Sequence, residues 1–291
     1  MVDLSIIIVS FNTAQMTINC IESIIKSFGQ GSKVVFEIIV VDNASTDGTI
    51  QEIQNYSAKL KIIENKENLG FAKANNQAVK QAEGKYLLFL NSDVIVKDVN
   101  FNRLIELLDE DSQIGVLTVK VIRSDGEIDP ACHRGFPTLW RSFCYFSKLE
   151  KLFGQWPILD RVFGGYHLVY FDKNIIHEID SPSGAFYLTR KNLFDQITGF
   201  DEKFFMYGED LDLSYRIKTQ GFKVIFYPLD QVIHLKYQSG LAGKDVNYQK
   251  QIRKYFYQAM ALFYKKYYSQ KYPKLLNSLV YFLINYEKNR Y

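Results

Sequence analysis

Phe36-Glu37-Ile38-Ile39-Val40-Val41-Asp42-Asn43-Ala44-Ser45-Thr46-Asp47-Gly48-Thr49 is the stretch that decides the fold. Ile38 to Val41 is an unbroken apolar run, the pattern of a strand covered on both faces. An acid ends it, and the polar loop that follows supplies capping residues for a helix from Thr49 to Tyr56. The same grammar recurs on either side. Leu4–Val9 is an apolar run ended by Ser10-Phe11-Asn12, and Tyr86–Leu90 is one ended by Asn91-Ser92-Asp93. Between the first two strands, Met16, Cys20 and Ile24 fall at helical spacing before Gly29 and Gly31. Strands and helices alternating at short intervals predict a mainly parallel, layered α/β sheet. Such a sheet binds its ligand in a crevice at the strand ends.

Further along, Lys61–Glu64 reads as a short strand, and Asn68-Leu69-Gly70-Phe71 opens a helix reaching about Ala82. Residues 114–128 turn β-like, residues 130–180 are irregular and aromatic-rich, and strand signals return at 184–188 and 224–227. Glu209 to Gln220 reads as a helix closed by Gly221. From about Tyr248 lysines and tyrosines interleave with apolar residues, and Pro273 divides two amphipathic helices. The expected organisation is a catalytic domain over 1–240, with a donor half of about 1–125 and an acceptor half of about 126–240, followed by a helical appendage over 241–291.

Composition excludes several classes. A net charge of +3 is too small to imply nucleic acid, and no nucleic-acid partner is expected. Cys20, Cys132 and Cys144 are widely spaced, without a CxxC pair, so neither a zinc knuckle nor a disulfide framework is suggested. No apolar run approaches the roughly 20 residues that cross a bilayer. With no leader pattern at Met1–Ser5, the expected setting is cytoplasmic, at most peripheral on the inner face of the cell membrane.

The chemistry-bearing segment is Gly199-Phe-Asp-Glu-Lys-Phe-Phe-Met-Tyr-Gly-Glu-Asp-Leu-Asp-Leu213, five acids among aromatic neighbours. Carboxylates in such surroundings need a cation, a proton or a substrate hydroxyl. The first strand is followed by no glycine-rich turn and the chain has no Walker loop, so a phosphate must be held another way. Asp93 points to a divalent metal bridging a diphosphate; a turn cap after the strand is its other reading.

Taken together, Val9-Ser10-Phe11-Asn12, Val41-Asp42-Asn43-Ala44-Ser45-Thr46-Asp47-Gly48-Thr49, Asn68-Leu69-Gly70-Phe71-Ala72, Leu90-Asn91-Ser92-Asp93 and Phe204 to Asp212 resemble, in order, the family 2 glycosyltransferases, in particular their rhamnosyltransferase-like branch. The resemblance implies a GT-A fold and an inverting, metal-dependent enzyme using Mn²⁺ or Mg²⁺. It places Ser10, Phe11 and Asn12 under the nucleoside and gives Asp42 the N3–H of a uracil or thymine base. Asn68 and Lys73 would line the donor side. Asn91, Ser92 and Asp93 stand at the family's metal motif, with Asn91 replacing its first acid, and His234 would join Asp93 on the metal. Asp210 would be the catalytic base with Glu209 beside it, both kept ionised by the helix start. Ser183-Gly184-Ala185 resembles the acceptor-side loop; Asp201, Arg216 and His133 are candidates for supporting roles. Asp212 faces solvent or pairs with Arg216.

The implied donor is a dTDP- or UDP-linked sugar, with L-rhamnose from dTDP-rhamnose first. The implied acceptor is a saccharide, lipid-linked if the C-terminal helices meet a membrane. Their tyrosines and lysines suit a membrane interface, and they suit equally a helix pair packed on the catalytic domain or in a homodimer. Two alternatives remain open: a UDP-sugar-dependent transferase of galactose, N-acetylglucosamine or similar, and a non-catalytic sugar-nucleotide-binding homologue. A sugar nucleotidyltransferase would show a basic glycine-rich loop after the first strand, which is absent.

Overall fold

A computed structural model describes residues 1–29, 31–56, 60–235 and 246–290. The N-terminal half runs β1 (Leu4–Ser10), α1 (Ala14–Phe28), β2 (Phe36–Asp42), α2 (Thr49–Ile53), β3 (Leu60–Glu64), α3 (Phe71–Val79), β4 (Tyr86–Asn91), β5 (Val94–Lys97), α4 (Phe101–Glu110) and β6 (Ile114–Arg123). The second half adds a 3₁₀ turn at Pro130–Cys132, then α5 (Leu139–Phe146), α6 (Leu149–Phe153), α7 (Leu159–Phe163), β7 (His177–Ile179), β8 (Phe186–Arg190), α8 (Lys191–Gln196), α9 (Glu209–Thr219) and β9 (Lys223–His234). α10 (Val246–Tyr267) and α11 (Lys274–Asn289) follow.

One sheet runs β3-β2-β1-β4-β8-β6-β9-β5, with β7 paired to β9. Its first four strands are mutually parallel; β8 runs antiparallel to both β4 and β6, and β6 is parallel to β9. The sheet is therefore mixed and parallel where the apolar runs predicted it. Ile6–Ile8 and Ile38–Val41 are buried to within 1% exposure, as continuous apolar runs require under helices on both faces.

Register decides what the strand ends bring together. Ser10 pairs with Asp42, and Val9 with Asn91, so β1, β2 and β4 end level with one another. Across the sheet, Val94 pairs with His234, and the Leu235 N–H donates to the Asp93 carbonyl at 2.9 Å.

The stretch 130–180, read as irregular, contains three short helices, one capped by the Thr138 hydroxyl, and a three-residue strand. Helix α2 stops at Ile53, short of the Tyr56 expected. Both C-terminal helices are present, while the expected domain boundary at 240/241 lies outside the described residues. Helix α10 packs through Ala259, Phe263 and Tyr264 onto Phe204 and Leu211, in a second small core that Phe136, Tyr215 and Tyr281 border.

Gly70 ties the donor-side loop to the acidic segment. Its φ is +79°, and a Cβ there would sit 2.4 Å from the Phe205 carbonyl oxygen, which accepts the Phe71 N–H at 2.7 Å. A side chain at 70 meets both backbone strain and a clash with fixed backbone. Gly70→Ala is expected to lower the unfolding free energy by about 2 kcal/mol in urea titration. A variant as stable as the parent would show that the two loops are free to separate.

Candidate active site

The end expected to receive the base is built from the loop after β2. Asp42 is buried; its Oδ2 accepts the Ser45 N–H at 2.8 Å, while its Oδ1 is buried without a hydrogen-bond partner. A buried, unsatisfied carboxylate oxygen is costly unless a ligand donor reaches it. The neighbours predicted beside the nucleoside hold the frame. Ser10 Oγ meets the Thr13 and Thr17 hydroxyls at 3.0 and 2.9 Å, and Thr13 reaches Ser92 Oγ at 3.2 Å. Asn12 clips the two loops together: its N–H donates to Ser45 Oγ and its Oδ1 accepts from Thr46 N, both at 2.8 Å. Phe11 is half-buried. Asn68 Oδ1 accepts the Gly70 N–H at 2.9 Å, and Lys73 is exposed on α3.

Next to this end lies a carboxylate–imidazole pair. Asp93 Oδ1 is 3.1 Å from His234 Nε2, and Asn91 Nδ2 lies 3.5 Å from the same nitrogen. Asp129, buried on the approach to the 3₁₀ turn, holds His234 Nδ1 through Oδ2 at 3.1 Å. Burial opposes charge on the imidazole, but the hydrogen bonds to Asp129 and Asp93 prevail and raise its pKa to about 9. A carboxylate behind one ring nitrogen with the other facing the site is how metal-ligating histidines are oriented. Among the described residues no group of three His, Cys, Asp or Glu encloses a cation position. One oxygen and one nitrogen donor fit an open cation site completed by a ligand's own oxygens, and not a closed structural one.

The acids at the start of α9 share a setting but not a state. Asp210 Oδ2 forms an ion pair with Arg134 Nη2 at 2.7 Å and accepts the Gly184 N–H at 3.2 Å; its Oδ1 accepts the Leu211 N–H at 2.7 Å. Glu209 has a buried Oε2 without a hydrogen-bond partner. Burial, reinforced by the Asp210 charge, drives its carboxyl well above the usual range. The expectation that both acids stay ionised is thus corrected for Glu209, because desolvation outweighs the helix start. Gly184 closes the circle: a Cβ on it would lie 3.9 Å from Asn91 Oδ1, so the acid pair and the Asp93–His234 pair border one crevice.

Other expectations shift. Asp212 does not face solvent. It is fully buried and accepts from Arg216 Nε at 2.8 Å, Lys266 Nζ at 2.5 Å and Tyr267 Oη at 2.6 Å, the last two from α10. Asp201 pairs with Lys266 as well, at 2.8 Å. His133 lies away from the acids, its Nε2 2.6 Å from His177 Nε2. Arg134 and Asp129 were missed by sequence reasoning. Arg134 sits in the irregular stretch and Asp129 at its edge, where only the contact partner gives the residue a role.

A mixed α/β sheet whose strand ends carry Asp42 and the Asp93–His234 pair, beside the acid pair that opens α9, is the arrangement of a GT-A-type glycosyltransferase. A model of glycosyl transferase family 2 matches residues 5–175. An N-acetylglucosaminyl-diphospho-decaprenol L-rhamnosyltransferase of Mycobacterium tuberculosis is 24% identical over 241 residues, 77% of this chain and 74% of that protein. Rhamnosyltransferase WbbL of Escherichia coli K12 is 28% identical over 210 residues, 68% of this chain and 72% of that one. The mannosyltransferase PcManGT from Pyrobaculum calidifontis, solved with GDP-Man and Mn²⁺, shares the fold with a TM-score of 0.56 at 16% identity, over 90% of this chain and 64% of that one. The chain belongs to glycosyl transferase family 2.

The raised Glu209 carboxyl fixes a sign. An acid whose folded pKa exceeds its unfolded value of about 4.5 stabilises the fold fully below that value and progressively less as pH rises toward the folded one. Glu209→Gln, a neutral isostere, is therefore expected to be more stable than the parent at pH 8 by about 1 kcal/mol or more, with the gap closing toward pH 4.5. Urea titrations at the two pH values check this; a gap independent of pH would refute the assignment.

Proposed function

We propose that the protein transfers a sugar, with inversion, from a nucleoside diphosphate sugar to a saccharide acceptor, L-rhamnose from dTDP-rhamnose being the first donor to test. The reading is carried by the unpartnered, buried Oδ1 of Asp42, at a strand end level with the crevice that holds Asp93, His234 and Asp210. A pyrimidine N3–H is a donor of the kind that oxygen lacks. The names of the rhamnosyltransferase relatives support the sugar, and "diphospho-decaprenol" supports a lipid-linked acceptor in cell-surface polysaccharide synthesis. A UDP-sugar is the other donor class that the Asp42 site fits.

In this reading Asp42 selects the base while Ser10, Phe11 and Asn12 shape the nucleoside floor. Asn68 and Lys73 border the donor, as do Asn91 and Ser92. Asp93 and His234 would hold a divalent cation, which when bound neutralises the leaving diphosphate; the nitrogen donor favours Mn²⁺ over Mg²⁺. Asp210, aimed by Arg134 and the Gly184 N–H, takes the proton of the acceptor hydroxyl as that oxygen bonds to the anomeric carbon and the bond to the diphosphate breaks. Its negative charge also favours a transition state of oxocarbenium character. Glu209, protonated beside it, offers the acceptor a hydrogen-bond donor.

The C-terminal helices would bring the enzyme to its acceptor at a membrane surface. Residues 246–290 carry nine Lys and Arg against one Glu, and α11 exposes Leu275, Leu279, Phe282 and Tyr286 along one stripe. No helix among the described residues is long and apolar enough to cross a bilayer.

Asp210→Asn is expected to lower transfer by about 10³-fold while nucleotide affinity, read by calorimetry, stays put; transfer within a few-fold of the parent removes Asp210 as base. Asp42→Asn should weaken UDP and dTDP binding by about tenfold or more, and equal loss of GDP binding would show that it does not read the base. In a Mn²⁺ titration of nucleotide binding, His234→Ala should shift the midpoint upward; an unmoved midpoint takes His234 out of the cation site.

A further inference from the structure

The segment between β6 and β7 carries a surface that the transfer reaction does not use. Both tryptophans of the chain lie on it, Trp140 on α5 at 49% exposure and Trp156 before α7 at 63%. Phe143, Leu152, Ile158 and Val162 are exposed with them. Soluble surfaces leave single apolar side chains to water, but rarely so many on some two dozen consecutive residues. These are not the remains of a failed core. The segment has its own hub, where the rings of Trp140 and Phe153 pack on Phe163, the Trp140 Nε1–H donates to the Val162 carbonyl at 2.8 Å, and Glu150 binds His167. Ile158 adds a second oddity: a β-branched residue at φ +81° with 79% of its surface exposed. Exposure to water offers nothing to compensate that backbone strain.

We propose that α5–α7 form a wedge that inserts its aromatic and aliphatic side chains into the interfacial layer of an anionic lipid bilayer. This rests on the proposed attachment of α10 and α11 to a membrane surface and assigns the apolar part of that contact to a different element. Charge selects the occupant. Lys148, Lys151 and Arg161 are exposed on the wedge; of its two acids Glu150 is turned inward and Asp160 is half-buried, and the adjacent C-terminal helices are strongly basic. A second copy of the chain docking by a two-fold axis would set these positive groups against each other, whereas anionic headgroups neutralise them. Tryptophan and tyrosine rings at headgroup depth are the usual anchors of such contacts.

Position gives the wedge a purpose. Phe136 and Leu139 at its start enter the same small core as Tyr264 and Val280 of α10 and α11, so the two helical groups are neighbours. At its far end, the Gly135 N–H donates to the Tyr166 carbonyl at 2.8 Å, and the residue before Gly135 is the Arg134 that holds Asp210. A seated wedge therefore presents the acid pair near the headgroup plane, where the saccharide of a lipid-linked acceptor emerges.

Because every tryptophan of the protein is on this segment, its emission reports the wedge alone. With full-length protein and vesicles of phosphatidylglycerol and phosphatidylcholine, the emission is expected to shift to the blue, to be quenched by brominated acyl chains, and to revert as salt is raised. Phe143→Ser/Leu152→Ser/Ile158→Asn keeps both tryptophans, and asparagine tolerates the left-handed backbone at 158; it should lower vesicle partitioning by about tenfold or more while UDP and dTDP binding is unchanged. Vesicle binding with unshifted, unquenched tryptophan would overturn the proposal and leave attachment to α11. Emission already blue without vesicles, together with a dimer in light scattering, would overturn it in favour of self-association. Loss of nucleotide binding or turnover tests the transferase reading alone, since the vesicle measurement needs neither.

Discussion

The parallel register of β1 with β2 and β4 is the constraint on which the site depends. A parallel pair has no tight turn to fix its alignment, so alignment comes from burying two-sided apolar strands between helices. Here the alignment sets Ser10 beside Asp42 and Val9 beside Asn91. Three loops then leave the sheet at the same height, and a nucleotide can lie across them. A one-residue slip of β2 would turn Asp42 to the opposite face, away from the strand-end crevice.

Around that crevice the fold buries carboxylates and settles each differently. Asp210 has a guanidinium, Asp212 has an arginine, a lysine and a tyrosine, and Asp93 with Asp129 shares an imidazole. Removing one partner of such a buried pair costs about 3–5 kcal/mol, which keeps these contacts fixed. Glu209, whose Oε2 is buried without a hydrogen-bond partner, answers burial by holding its proton. Two adjacent acids thereby acquire different chemical states from one helix turn, a division of labour that suits a base beside a hydrogen-bond donor.

Sequence reasoning reached the parallel half of the sheet because Leu4–Val9, Ile38–Val41 and Tyr86–Leu90 are local signals whose periodicity survives any packing. It singled out Asp42 and Asp93 as acids at the ends of apolar strands, and His234 and Asp210 only through the family resemblance; the structure pairs Asp93 with His234 beside the strand ends where Asp42 sits. It could not see Arg134 or Asp129, whose roles are set by partners 76 and 105 residues away. It left Asp212 between solvent and Arg216; the pairing with Arg216 holds, and the lysine and tyrosine that complete its burial lie on α10, out of reach of local reasoning. The stretch 139–163 was opaque because its helices are five to eight residues long, too short for helical periodicity to declare itself.

The packing of α10 on the catalytic body and the contact of a membrane with its neighbours were posed as alternatives, but a helix pair has two sides. Ala259, Phe263 and Tyr264 face inward, while the apolar stripe of α11 faces out. The inner side reaches the acids of α9: Lys266 and Tyr267 grip Asp212 two residues after Asp210, and the Tyr255 ring tilts against Phe205, whose carbonyl accepts the Phe71 N–H. Through a buried charge cluster and a ring contact, α10 is thus packed onto both the α9 acids and the donor-side loop. A surface helix meant only to anchor the enzyme would not need that connection.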